Sequence, residues 1–179
     1  MIIKRAFLGL GSNLGKRSAY IDQALSRLDE HPKISLIRVA AYYETDPVGF
    51  TDQGKFINTA AEVRTSLSPL MLLAYCQQIE QLLKRRRAVR WGPRTIDIDL
   101  LVYSDVRSSQ RQLSLPHPRM KERPFVIYPL MEIEPTLLID GEPLSLIQQR
   151  LSSEGIVRLV PDPSSYACFS QLEPVDQRG

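Results

Sequence analysis

Apolar positions change their period along this chain in an orderly way. A branched, apolar run from about Ile2 to Leu10 ends in the glycine-bearing GLGSNLG, and beyond it Ile21, Ala24, Leu25 and Leu28 recur at helical spacing. The pattern predicts a strand and then a helix, closed by His31 and Pro32. Two strand-like stretches follow, near Ile34 to Tyr43 and near Phe56 to Thr65, joined by the polar ETDPVGFTDQGK, which is long for a hairpin. Ser68 with Pro69 behind it is a helix start of the N-cap and N1 kind, and Leu70, Leu73, Ile79, Leu82 and Leu83 supply an amphipathic stripe. The stretch WGPRTIDIDLLVY, residues 91 to 103, reads as a strand because Ile96, Ile98, Leu100, Leu101, Val102 and Tyr103 are branched, apolar or aromatic.

The order β-α-β-β-α-β predicts an α+β fold with a ferredoxin-like core, its antiparallel sheet covered by two helices on one face. The other face needs separate cover. SDVRSSQRQLSLPHPRMKERPFVIYPLMEI predicts a turn, a short strand and a mostly apolar segment, and DGEPLSLIQQRL a last short helix. These extra C-terminal strand and helix elements either extend the core or wall a cleft. From Pro161 onward the chain is polar and aperiodic, so the expected division is one domain over residues 1–160 and a loosely held tail over 161–179.

Composition narrows the classes. At 179 residues and 43% hydrophobic content, one domain with a real core is expected. A net charge of +3 is far from that of a nucleic-acid coat, so any basic patch must be local. Cys76 and Cys168 show neither CxxC spacing nor a histidine cluster, which points away from a disulfide framework or a zinc site and toward a reducing interior. No apolar run approaches the roughly 20 residues of a membrane span or resembles a secretory core, so a cytoplasmic protein that engages no membrane is expected.

The last strand carries an oddity. Asp97 and Asp99, two apart, share one strand face while Ile96, Ile98 and Leu100 line the other. Paired carboxylates suit a hard cation such as magnesium, and they equally suit a solvated strand face. Arg90, Trp91 and Arg94 stand beside them, preceded by the basic run from Lys84 to Arg90, so groups capable of bidentate phosphate contacts crowd against the carboxylates. The same run also reads as a solvated helix end favoured by the helix dipole. Gly9, Gly11 and Gly15 follow a strand but lack the G-x-G-x-x-G spacing, and there is no Walker A sequence, so an ATP user here must hold phosphates with arginines and metal.

Two loops add further candidates. TDPVGFTDQGKFIN, Thr45 to Asn58, offers aromatic rings for stacking a flat heterocycle and an amide for its hydrogen-bonding edge, although Phe56 alone also fits the core. LPHPRMKERPF brings His117, Arg119, Lys121, Arg123 and Phe125 into one short stretch, where His117 is either a structural imidazole or a phosphate donor.

Taken in order, GLGSNLG, TDPVGFTDQGKFIN, RWGPRTIDIDLL and LPHPRMKERPF closely resemble the 6-hydroxymethyl-7,8-dihydropterin pyrophosphokinases of folate biosynthesis, over roughly residues 2 to 160. The resemblance implies transfer of diphosphate from ATP to the hydroxymethyl oxygen of a reduced pterin, leaving AMP, with two Mg2+ ions and ATP as co-substrate. It implies metal binding by Asp97 and Asp99, and catalytic roles for these two with Arg85 and Arg94. It implies ATP contacts from Gln77, Glu80, Arg85, Trp91, Arg94, Ile98, Leu100, Ser114, His117 and Arg123. It implies pterin contacts from Thr45, Pro47, Val48, Phe56, Asn58, Trp91, Asp97 and Phe125, with Phe56 and Phe125 sandwiching the ring. Pro124 stands where the family more usually has a small residue, which removes one backbone donor.

The implied partners are small molecules, with no nucleic acid and no membrane, and functional association with other folate-pathway enzymes. The loop residues VGFTDQG and 104–112 are expected to close over ATP. Two rivals are a basic RNA-binding module, which lacks its RNP-like pattern here, and a two-metal phosphodiesterase, which would bring more clustered ligands.

Overall fold

A computed structural model describes residues 2–47, 52–84 and 92–159 of the chain. Val48, Arg85, Trp91 and the proposed tail, 161–179, therefore lie outside the described residues. Strand β1 (Lys4–Ser12) leads into helix α1 (Arg17–Asp29), then β2 (Ile34–Val39), β3 (Tyr43–Thr45), β4 (Phe56–Thr65), α2 (Pro69–Leu82) and β5 (Asp97–Tyr103). A hairpin of β6 (Ser108–Gln110) and β7 (Leu113–Leu115), a 3-10 turn at Met120–Glu122 and helix α3 (Pro124–Ile133) follow. The chain continues through β8 (Leu138–Ile139), β9 (Glu142–Pro143), α4 (Leu144–Gln149) and β10 (Ile156–Arg158).

The main sheet is antiparallel, in the order β5-β1-β4-β3-β10, with β2 also on β4. Strands β2 and β3 occupy one edge of β4, where a single strand from Ile34 to Tyr43 was expected. Side chains cause the break. The Thr59 hydroxyl donates to the Ala40 carbonyl (2.9 Å) and the Ala41 N–H donates to the Glu132 carboxylate (3.1 Å), which draws both backbone groups out of the ladder.

Helices α1 and α2 cover one face, as the expected core requires. Ile21, Ala24, Leu25 and Leu28 of α1 are buried against Leu8, Leu10, Leu36 and Val63. Each such fully buried Leu or Ile contributes on the order of 2 kcal/mol. Helix α2 starts where Ser68 accepts the Met71 N–H (3.3 Å), a cap worth about 1 kcal/mol. Its buried stripe differs in phase from the expected one: Leu72, Cys76, Ile79 and Leu83 face the sheet, whereas Leu70 and Leu82 are exposed. The apolar PLMLL first turn supports either phase, and packing on β5 selects one.

Helix α3 manages the opposite face. Val126, Ile127, Leu130 and Ile133 pack with Phe7, Ala60, Leu101 and Val102. Only an apolar segment was expected there, because Pro129 and branched residues disguise the helical period. The short helix α4 falls within DGEPLSLIQQRL, as expected.

On this α3-covered face β1 presents Arg5, Phe7, Gly9 and Gly11 in alternation, so side-chain volume falls away along the strand. Phe7 fills its end beneath α3, whereas the glycines leave the other end open.

Candidate active site

The space left by Gly9 and Gly11 is a cavity of about 170 Å³. Its lining includes Thr45, Phe56 and Asn58 from β3 and β4, Arg94 from the segment before β5, Asp97 and Asp99 from the start of β5, and Arg119, Glu122, Arg123 and Phe125 from the 3-10 turn, its flanks and α3. A Cβ on Gly11 would stand 2.6 Å from the Asn58 amide oxygen, so only glycine lets that amide reach its place. The Asn58 NH2 in turn donates to the Thr45 hydroxyl (2.8 Å).

Strand alternation places the two aspartates as expected. Asp97 and Asp99 face the cavity, while Ile98 and Leu100 are buried in the core on the helix side. The Arg94 guanidinium pairs with Asp97, and Arg123 Nη1 lies 3.1 Å from Asp99 Oδ2. Both carboxylates keep solvent access, at 22% and 35% side-chain exposure, so an incoming ion or phosphate can compete for either pair. The same guanidinium carbons lie 5.8 Å from the ring centres of Phe56 and Phe125 respectively. Each arginine thus joins a carboxylate to an aromatic ring.

Asn13, from GLGSNLG, organises this end and was given no role by the sequence reading. Its side-chain oxygen accepts the Arg94 N–H (2.8 Å), its own N–H donates to the Arg94 carbonyl (3.2 Å), and its NH2 donates to Gln53 (2.9 Å) and to the Gly54 carbonyl (3.3 Å). One amide thereby holds the segment before β5 against the loop before β4. The polar residue at the strand end was the available signal. Arg119 also lines the cavity without an assigned role, as do Asp46 and Thr59.

Other candidates stand elsewhere. Glu80 is 4% exposed, and its carboxylate accepts the Ile98 N–H (2.7 Å), which ties α2 to β5. Gln77 is exposed on α2, Ser114 is half-buried in β7, and Pro47 is half-buried beyond β3, all outside the cavity lining. His117 is half-buried, its N–H donating to the Leu101 carbonyl (2.8 Å) and its Nδ1 accepting the Arg119 N–H (3.3 Å). Burial lowers its pKa below the usual histidine value; Asp99 opposes and Arg123 reinforces that shift. Phe56 lines the cavity and is only half-buried, which sets aside the core alternative.

Among the described residues no group of three His, Cys, Asp or Glu side chains converges. The two aspartates still fit a hard cation that keeps waters and substrate oxygens as its remaining ligands. Cys76 is a buried free thiol, its pKa pushed far up by burial and then by Glu80 and Asp99. No helix among the described residues is long and apolar enough to cross a membrane.

Fold and cavity together define a small α+β domain whose cavity presents arginines and aromatic rings, groups suited to an anionic, ring-bearing ligand. Residues 7–135 match the family described as 7,8-dihydro-6-hydroxymethylpterin-pyrophosphokinase (HPPK). A 2-amino-4-hydroxy-6-hydroxymethyldihydropteridine pyrophosphokinase of Bacillus subtilis is 50% identical over 128 residues, covering 72% of this chain and 77% of its own. Its counterpart in Methylorubrum extorquens is 44% identical over 155 residues, covering 87% and 98%. The wild-type HPPK-DHPS of Plasmodium falciparum, solved with pteroate, shares the fold with a TM-score of 0.71 at 16% identity; the match covers 88% of this chain and 46% of that one. The chain belongs to the HPPK family.

Proposed function

We propose that the chain transfers the terminal diphosphate of ATP to the hydroxymethyl group of 6-hydroxymethyl-7,8-dihydropterin, giving the pterin diphosphate and AMP, in folate biosynthesis. The observation that carries this reading is the juxtaposition of Asp97–Arg94 and Asp99–Arg123 with Phe56 and Phe125 around one cavity. In the reaction, the hydroxymethyl oxygen attacks the β-phosphorus, the bond from that phosphorus to the α-phosphate bridging oxygen breaks, and the hydroxyl proton is released.

The residues present suit each part. Phe56 and Phe125 offer two faces to a flat ring, and Asn58 with Thr45 offers donors and acceptors to its edge. Asp97 and Asp99 would hold two Mg2+ ions, which when bound neutralise phosphate charge and orient the triphosphate. Arg94 and Arg123, drawn from their carboxylates onto phosphate oxygens, stabilise charge moving to the leaving AMP. His117, kept neutral by burial at ordinary pH, can donate a hydrogen bond to phosphate without adding charge. Positioning and electrostatics therefore do most of the chemistry.

We assign the enzyme to residues 1–160 and place it in the cytoplasm, in keeping with the buried free Cys76. Functional association with other folate enzymes is supported by the Plasmodium relative, in which HPPK is one named part of a longer chain. Incubation with ATP, Mg2+ and the reduced pterin tests the activity. Equimolar AMP and pterin diphosphate are expected; ADP, or no pterin product, overturns it.

A further inference from the structure

We infer that β10 and the Gly155 turn before it form a positioning element for the ring end of the cavity, acting through Thr45 and Asp46. This rests on the pterin reading above and concerns residues beyond the family match, which ends at residue 135.

Strand β3 has only three residues, and β4 pairs with one side of it, Thr45 opposite Phe56 and Tyr43 opposite Asn58. Left alone it would be a short, frayed edge carrying one cavity residue, Thr45, with a second, Asp46, just beyond it. Strand β10 closes that edge, with Ile156 opposite Thr45 and Arg158 opposite Tyr43. The attachment is secured beyond both ends of the pairing. The Leu159 N–H donates to the Tyr42 carbonyl (2.7 Å), and the Asp46 N–H donates to the Gly155 carbonyl (3.1 Å). Arg158 also binds Glu132 (3.0 Å), whose carboxylate accepts the Tyr43 hydroxyl (2.8 Å) and the Ala41 N–H. Thr45 is thus held between two strands, β4 and β10, while its hydroxyl accepts from Asn58.

Gly155 is the sensitive point. Its φ is +70°, and a Cβ there would overlap the Asp46 carboxylate, coming within 3.1 Å of Cγ and 3.3 Å of Asp46 Cβ. The Asp46 carboxylate also pairs with Lys55 (3.0 Å) in an exposed ion pair, and the close approach extends past it to Asp46 Cβ, next to the backbone. A side chain at position 155 therefore presses on Asp46 and, through the backbone bond from Asp46 to Gly155, on the adjacent Thr45 at the cavity's ring end. The phosphate end, built from Arg94, Asp97, Asp99 and Arg123, lies on other elements and adjoins the ring end through Arg94 over Phe56 and Arg123 over Phe125.

The test measures Kd for the reduced pterin and, separately, for a nonhydrolysable ATP analogue with Mg2+. For Gly155→Ala, pterin affinity is expected to fall by roughly tenfold, the scale of a displacement below about 1 Å, with nucleotide affinity within about twofold of wild type. Gly155→Asn carries a Cβ but tolerates positive φ, so it keeps the steric effect with less backbone strain and stands in should the alanine variant not fold. In an Asp46→Ala background most of the Gly155→Ala effect should vanish, since the group it strikes is gone. An equal loss for both ligands, an unchanged pterin affinity, or an effect undiminished in the Asp46→Ala background overturns the inference. Wild-type protein that binds nucleotide but no pterin overturns the pterin reading itself.

Discussion

At one end of β1, Arg5 and Arg38 meet Glu62 and Glu134; at the other, Arg94 and Arg123 meet Asp97 and Asp99. The residue chemistry is the same and the sheet face is the same. What differs is cover. Glu62 is 1% exposed, Arg38 reaches it at 2.7 Å and Glu134 at 3.3 Å, and the C-terminal end of α3 covers the two carboxylates while the arginines keep an outer, solvated edge. The aspartates pair across the sheet with Gly9 and Gly11, which leave room there for the cavity and for the Asn58 amide, and both carboxylates remain open to solvent. A closed network staples a helix to a sheet; an open one can exchange its partners for ligands.

The largest effect should come from the open end. Asp97→Ala removes the partner of Arg94 and one carboxylate of the pair, and turnover with ATP and Mg2+ is expected to fall by about a thousandfold or more. Circular dichroism and Tm should remain near wild type. Near-normal turnover at saturating Mg2+ would remove the aspartate from the chemistry.

Filling the cavity floor should cost less. Gly11→Ala places a Cβ 2.6 Å from the Asn58 amide oxygen, so pterin affinity is expected to drop by on the order of a hundredfold. Gly9→Ala meets only the Leu101 side chain at 3.4 Å and should be milder. Isothermal titration of both variants checks the order, and an equal effect would mean that the glycines do not shape the ring end.

Much of this comparison was legible in the sequence. The βαββαβ order, the paired aspartates and the adjacent arginines all followed from period and spacing, because they are local. The closed network was not legible, since Arg5, Arg38, Glu62 and Glu134 stand far apart in sequence and meet only through sheet register and the end of α3. Asn13 was missed for the same reason, as it bridges two loops. Gly9 and Gly11 were set aside as a nucleotide fingerprint because their spacing fails, and no other use was legible; in the fold they leave room on one face of β1. Ile98 and Leu100, implied nucleotide contacts, are core side chains. Helix α3 was hidden by Pro129.

The smallest effect is a pH dependence of the closed end. Burial acts to raise the Glu134 pKa, but the Thr136 hydroxyl and Arg5 overcome it and hold the group below the usual glutamate value. A carboxylate with a depressed folded pKa contributes stability that is present at neutral pH and lost as pH falls through that folded value. Urea midpoints should therefore decline below about pH 4.5, and Glu134→Gln should flatten that decline. An unchanged slope would show that Glu134 titrates as it does in the unfolded chain.

The contrast between the two ends is tested most directly by one paired measurement: turnover and Tm for Asp99→Asn beside Glu62→Gln. Asp99→Asn should lose turnover by about a thousandfold with Tm within a few degrees of wild type, whereas Glu62→Gln should lower Tm by roughly 5 °C or more and keep kcat within a few-fold. Turnover lost in Glu62→Gln with its Tm intact, or Asp99→Asn active but unstable, would contradict the assignment of staple and site.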